Sequence, residues 1–284
     1  MQHPTKDFPD MRLSITVYGK LAILHILILY SLHAQNTPIQ MRTLAVQDYE
    51  MLSYRNIVAG EHYQNFIVVS RLLKKDELAI YIGKYTLGSK TLMPVHYTNF
   101  QRQFSVDLKN GRLIGGFGDY EKEFRSENRY GEVYFTIDMD YIKNTAVFRS
   151  KIWDGFDTMT KTVRVKLVPG YPCWDLLSLV WVGARFLDTQ SKGVFYGIYP
   201  SVVKQAVPVT VRFLGKETVT TPAGVFPTIR LSVSVVDPFL ANLLDNYIRE
   251  MSIWIEDSPR ALVIKSMSPE DNYLLEKIDT WRDK

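Results

Sequence analysis

The chain is poor in the residues that reactive and metal chemistry draw on. Cysteine occurs once, at Cys173, so no internal disulfide can form and the fold must hold by its core. With no histidine near it in sequence, Cys173 reads as a small buried hydrophobe rather than a reactive thiol. Of the five histidines only His62 and His96 lie beyond residue 34. There is no His-Glu-x-x-His motif and no cysteine pair, so no zinc site and no other metal is expected. No Gly-x-Ser-x-Gly elbow offers a nucleophile. Charge of one sign is also scarce: 34 basic against 30 acidic residues give a net charge of +4. They are interspersed, which speaks against a nucleic-acid partner.

Long apolar runs are lacking too, with one exception. Leu21 to Leu32 is apolar, flanked by Arg12 and Lys20 and followed by His33-Ala34-Gln35. These are the parts of a secretory signal peptide, and the run is short for a membrane span. Residues 1–34 are therefore expected to be a signal peptide, with Met11 a second candidate start and an uncleaved anchor helix the alternative. Residues 35–284 are expected to form a single β-rich domain. An exported address, in the periplasm or outer envelope, follows from that reading.

What the chain does have is alternation. Hydrophobic residues make up 46% of it, with 17 Tyr and 14 Phe, a composition that favours strands. Val133, Phe135, Ile137, Met139 and Tyr141 alternate with Glu132, Thr136, Asp138 and Asp140, the period of a half-buried strand. Asn110-Gly111, Asp154-Gly155 and Pro222-Ala223-Gly224 mark hairpins. Short strands are also expected over 66–70, 78–82 and 207–214, with the first opening near Gly60-Glu61. Pro169-Gly170-Tyr171-Pro172 breaks this meander. Beyond it Leu176, Leu179, Val180, Ala184 and Leu187 recur at helical spacing behind Asp175, predicting a helix over 175–187. A second, short helix is predicted over 238–249, capped by Asp237 with Pro238 in its first turn. The fold class is thus mainly β, a large curved antiparallel sheet (a half-barrel) with one helix packed on it.

The stretch Thr218-Val219-Thr220-Thr221-Pro222-Ala223-Gly224-Val225-Phe226, followed by Ile253-Trp254-Ile255-Glu256-Asp257 and a Pro-Arg pair, resembles the bacterial envelope family known as domain of unknown function 3108. Trp174-Asp175-Leu176-Leu177-Ser178-Leu179 is similar to the Asp-x-Leu-Ser helix start of that family. The match runs over about residues 172–284. The resemblance implies an envelope protein, and by fold analogy a sheet like that of periplasmic lipid and lipoprotein carriers.

Four constellations invite a chemical reading. Asp138-Met139-Asp140 has the spacing of a metal-holding carboxylate pair, yet both fall on the polar face of their strand. Gly111, Gly115, Gly116 and Gly118 form a glycine run without the Gly-Lys-Ser/Thr of a phosphate loop. Glu256-Asp257 beside Arg260 reads as a turn with an ion pair rather than a catalytic dyad. The aromatics point to binding: Trp181 and Leu177 on one side of the expected helix, and Trp254 in its strand, either fill a core or line a cavity. The expectation is a non-enzymatic exported protein holding an apolar ligand, such as a lipid acyl chain, in the sheet concavity, with no cofactor. The alternative is an assembly factor of the envelope that binds a protein partner, through a sheet edge or the 239–250 helix; an enzyme stands third. Membrane association through that helix is a further option, without a transmembrane span.

Overall fold

The computed structural model describes residues 37–284 apart from 45–48, 59–60, 74–77, 86–96, 108–109, 125–128, 154–156, 176–182, 190–191, 199–204, 237–249, 269–271 and 281–284. The chain divides into Met1–Thr37 and Pro38–Lys284, and every described strand belongs to the second unit.

The strands are β1 (Tyr49–Val58), β2 (Glu61–Leu73), β3 (Leu78–Tyr85), β4 (Tyr97–Asp107), β5 (Arg112–Phe124), β6 (Arg129–Asp140), β7 (Thr145–Trp153), β8 (Thr158–Lys166), β9 (Cys173–Asp175), β10 (Gly193–Ile198), β11 (Val207–Thr221), β12 (Gly224–Val235), β13 (Glu250–Glu256), β14 (Val263–Met267) and β15 (Asn272–Thr280). They form one fifteen-stranded sheet in the order 8-7-6-5-4-3-2-1-15-14-13-12-11-10-9. Two meanders, one running outward from β1 and one from β15, are thus joined where β1 pairs with β15. Every pairing is antiparallel except β9 with β10.

This order has a physical consequence. The two edges, β8 and β9, are consecutive in sequence and linked only by residues 167–172, the Pro-Gly-Tyr-Pro breaker. A flat sheet of this width would hold its edges about 65 Å apart at the usual strand spacing, whereas so short a link spans about 25 Å at full extension. The sheet must therefore roll until its ends meet. They do: Phe135, Ile137, Val163 and Val165 from β6 and β8 pack with Cys173, Val194, Tyr196 and Ile198 from β9 and β10. The Tyr141 hydroxyl lies 2.9 Å from the Leu113 carbonyl oxygen and 3.3 Å from that of Cys173, pinning the two ends together. The sheet does not close into a barrel, for among the described residues β8 and β9 are not hydrogen-bonded to each other.

The hairpins fall where their turn residues place them. Thr221 pairs with Gly224 across Pro222-Ala223. Asp107 pairs with Arg112 around Asn110-Gly111, in a loop wider than two residues. Gly111 has a positive φ of 61°, and a Cβ there would meet the Phe186 Cβ at 2.7 Å, so both backbone and space require glycine. Among the described residues the first strand starts at Tyr49 rather than near Gly60. Its inward row of Glu50, Leu52 and Tyr54 includes a charge, which hides the alternation from a hydrophobicity reading.

Of the helix expected over 175–187, one turn is described, α1 (Ala184–Phe186). Residues 176–182, which Asp175 is expected to cap, lie outside the described residues; Asp175 itself ends β9, buried beside β10. The helix expected over 238–249 lies outside the described residues, as does the 154–156 turn, although Trp153 pairs with Thr158 across it.

Candidate binding surface

The interior of the rolled sheet is occupied by the chain itself. Residues 38–44 enter beside β10, where the Ile39 amide donates to the Val194 carbonyl at 2.9 Å. They then run antiparallel to 186–188, with the Arg42 amide donating to the Phe186 carbonyl at 2.7 Å and the Asp188 amide to the Gln40 carbonyl at 2.9 Å. Ile39, Leu44, Phe186 and Leu187 are buried in one cluster with Leu52, Leu113, Val209, Leu231 and Ile253 from strands on both sides. Trp174 stacks on Phe186 at 6.1 Å between centroids.

At the centre of this filling sits a charge pair that hydrophobic patterning missed. Arg185, fully buried on α1, donates to Glu50 at 2.8 and 3.4 Å and to the Arg260 carbonyl at 2.9 Å. Arg42 Nε donates to the Arg185 carbonyl at 2.9 Å. Nearby, the Tyr54 hydroxyl donates to the Val263 carbonyl at 2.8 Å. Burial pushes the Tyr54 hydroxyl well above its ordinary value, Arg185 opposing and Glu50 adding to the shift. The same desolvation lowers Arg42 against the pull of Asp188. A pair this dry is worth little compared with an apolar filling, but half of it alone is costly. It ties β1, α1 and the turn at Arg260 into one body.

Among the three aromatic-site residues expected from sequence, Trp181 and Leu177 lie outside the described residues. Trp254 is described, and it does not face the interior. Its neighbours Ile253 and Ile255 point inward and are fully buried. Trp254 stands on the other face, in register with Arg230 on β12 and Lys265 on β14. Both cations lie over its ring, at 4.9 and 4.7 Å from the centroid. The indole N–H donates to Glu217 at 2.6 Å. With the ring only 4% exposed, this is a closed cluster in which two cations share one carboxylate. Beside it Glu256 pairs with Arg260 at 2.6 Å and Asp257 with Lys216 at 2.7 Å, so the Glu256-Asp257 motif makes ion pairs at a turn.

The outer face of β5 to β8 differs. On β6 the buried row is Val133, Phe135 and Ile137; Tyr134, Thr136 and Asp138 point the other way. Register extends that outer row to Phe117 on β5, Arg149 and Lys151 on β7, and Thr160 and Thr162 on β8. Apart from Asp138, these residues line an open groove of about 600 Å³. Phe117 and Tyr134 are 53% and 49% exposed, unusual for aromatics side by side on a sheet. Arg149 is ion-paired with Asp138. Lys151, with Lys161, Arg164 and Lys166 on β8, completes a strand pair holding five cations and no acid.

The remaining motifs are accounted for locally. Asp138 belongs to the Arg149 pair. Asp140 accepts from the backbone amides of Ile142 and Lys143 and pairs with the Lys143 side chain. Chiefly the Lys143 amide bond holds its carboxyl below the usual range. The two carboxylates are thus engaged separately. Gly115 lets β5 approach β6, since a Cβ would meet the Ile137 carbonyl oxygen at 2.6 Å. Cys173 is buried, its thiol pushed up by desolvation and then by Asp175. Among the described residues no cluster of three or more His, Cys, Asp and Glu could hold a metal ion, and no helix is long and apolar enough to cross a membrane.

No family model matches the chain, and no curated protein matches it. Solved structures of similar course exist. One is a beta-barrel-like protein of the domain of unknown function DUF1849 from Brucella abortus, 8% identical over 86% of this chain and 100% of that one, with a TM-score of 0.47. A second is a candidate lipoprotein from Parabacteroides distasonis, 11% identical over 84% of this chain and 99% of the other, with a TM-score of 0.33. A third is a candidate exported protein with a YmcC-like fold from Bacteroides fragilis, 11% identical over 86% and 99% of the two chains, with a TM-score of 0.30.

Proposed function

We propose that this chain is an exported, non-enzymatic protein of the cell envelope that works as an assembly or scaffold factor, binding a partner through the outer surface of β5 to β8. One contrast supports the reading. The inner face is filled by the chain's own Ile39, Leu44, Phe186 and Leu187, while the outer face exposes Phe117 and Tyr134 among cations. A lipid acyl chain in the concavity would have to displace those residues and expose the Glu50–Arg185 pair. The apolar run before Ala34 supports export, and the Pro222-Ala223-Gly224 hairpin with the Trp254 strand supports kinship with the DUF 3108 family.

Native mass spectrometry on the mature protein, purified from the envelope without strong detergent, tests this reading. A ligand-free mass that does not rise with added lipids is the expected result. A stoichiometric acyl lipid would overturn the scaffold reading in favour of a carrier. Fractionation checks the address: the full chain should reach the envelope, and a chain lacking residues 1–34 should stay in the cytoplasm.

A further inference from the structure

We infer that β8 is a strand-addition site for an extended, acidic segment of a partner protein. The inference rests on the scaffold reading and gives its partner a chemistry. β8 is the terminal strand of the sheet, with β7 its sole neighbour among the described strands. Which of its backbone groups face outward follows from one hydrogen bond: the Leu167 amide donates to the Asn144 carbonyl, on the β7 side, at 2.8 Å. Backbone direction alternates along an antiparallel strand, and β7–β8 runs without a register shift. Thr158, Thr160, Thr162, Arg164 and Lys166 therefore direct their N–H and C=O groups away from β7. These are the groups an added strand would pair with.

Side chains decide what kind of strand fits. On the outer face the edge offers Arg164 and Lys166 beside three threonines, backed by Arg149 and Lys151 on β7. On the inner face it offers Met159, half-exposed, leading to buried Val163 and Val165. A segment alternating acidic and apolar residues would set its carboxylates against the cations and its apolar side chains beside Met159. A second copy of β8 fits badly, for it would bring Lys161, Arg164 and Lys166 of each strand together with no acid between them. Lys161, on the inner face of an edge strand, further discourages indiscriminate pairing. Cationic charge thus excludes self-pairing and selects an acidic partner.

The test uses the mature chain and a labelled synthetic peptide of alternating Glu and Val, with a Lys-Val peptide as control. Anisotropy should show binding of the Glu-Val peptide alone, weakening as salt screens the charges. Hydrogen exchange should show new protection at the amides of Thr160, Thr162 and Arg164, and little change at Lys161 and Val163, which already bond to β7. Thr162→Pro removes one outward donor and leaves β7 pairing intact; Arg164→Glu with Lys166→Glu keeps the backbone and reverses the charge. Each should weaken binding about tenfold or more, the equivalent of about 1.4 kcal/mol. Binding equally strong to both variants, or unchanged exchange at the three amides, would overturn the inference. So would self-association of the chain that Thr162→Pro abolishes, which assigns the edge to a second copy, or binding to anionic vesicles in place of the peptide. Retained acyl lipid sinks the scaffold reading itself; unprotected β8 amides beside a ligand-free protein sink only this site.

Discussion

Two outer-face patches of the same sheet carry the same residue types to opposite ends. Around Trp254 an aromatic ring lies between Arg230 and Lys265, Glu217 accepts from its indole N–H, and the neighbouring Glu256 and Asp257 are paired with Arg260 and Lys216. Around Tyr134 and Phe117 the aromatics are half-exposed; β7 and β8 carry five cations and no acid, of which Arg149 pairs with Asp138 on β6, and the Tyr134 hydroxyl donates to Glu132. The first patch is buried, with Arg230 and Lys265 over the ring and Glu217 on the indole N–H, and belongs to the molecule's stability. In the second, aromatic surface stays half-exposed and Lys151, Lys161, Arg164 and Lys166 leave an excess of positive charge. Residue type does not separate the two; burial and charge balance do.

The largest expected effect comes from opening the closed side at its most buried point. Arg185→Met strands the Glu50 carboxylate in the interior and should cost about 3–5 kcal/mol in denaturant unfolding. Glu50→Leu combined with Arg185→Met should recover most of that loss, because two apolar residues replace a pair whose desolvation nearly cancels its attraction. A single variant as stable as the parent would show that water reaches this centre.

Next in size is the contrast between the two patches' aromatics. Trp254→Ala removes a buried ring and should cost about 3 kcal/mol, as large aromatic truncations do. Tyr134→Ala, at a half-exposed site, should change stability by less than about 0.5 kcal/mol. Equal losses at the two positions would collapse the distinction between a buried patch and an exposed one.

The smallest effect, read at high pH, concerns the tyrosines of the closed side. Tyr54 has its hydroxyl raised above the ordinary 10.0, and Tyr196 is pushed up to about 12, both by burial first. A raised folded-state value favours the protonated phenol in the fold. Its contribution is therefore complete below pH 10 and declines as pH rises beyond it, by up to about 1.4 kcal/mol per pH unit per group. Tyr54→Phe should cost about 1 kcal/mol at neutral pH, through the lost bond to Val263. It should also flatten the alkaline decline.

Much of this sheet was legible in the sequence. The alternation of β6, the 221–224 turn and the Asn110-Gly111 hairpin all fall where their residues predict, because those signals are local: pleat, turn dihedral and missing Cβ act within a few positions. The β1 strand was illegible because its inward row includes Glu50, whose partner Arg185 lies 135 positions away. Trp254 was equally ambiguous: an aromatic in a strand reads the same on either face until register sets Arg230 and Lys265 beside it. The groove left no signal in the sequence at all, since Phe117, Tyr134, Arg149 and Thr162 become neighbours only through three strand pairings.

The sequence by itself determined that this is a β meander with tight hairpins, without a disulfide and interrupted at 169–172. Tertiary structure alone decided that this interruption joins the two edges of the sheet, that the chain's own residues 38–44 and 184–187 fill the interior, and that β8 forms a cationic edge of the sheet. The physical reason is range. Turns and pleats are fixed by adjacent dihedrals. Edge identity, burial and charge balance depend on which distant strands pair, and the short link between β8 and β9 settles that only once the whole sheet has rolled.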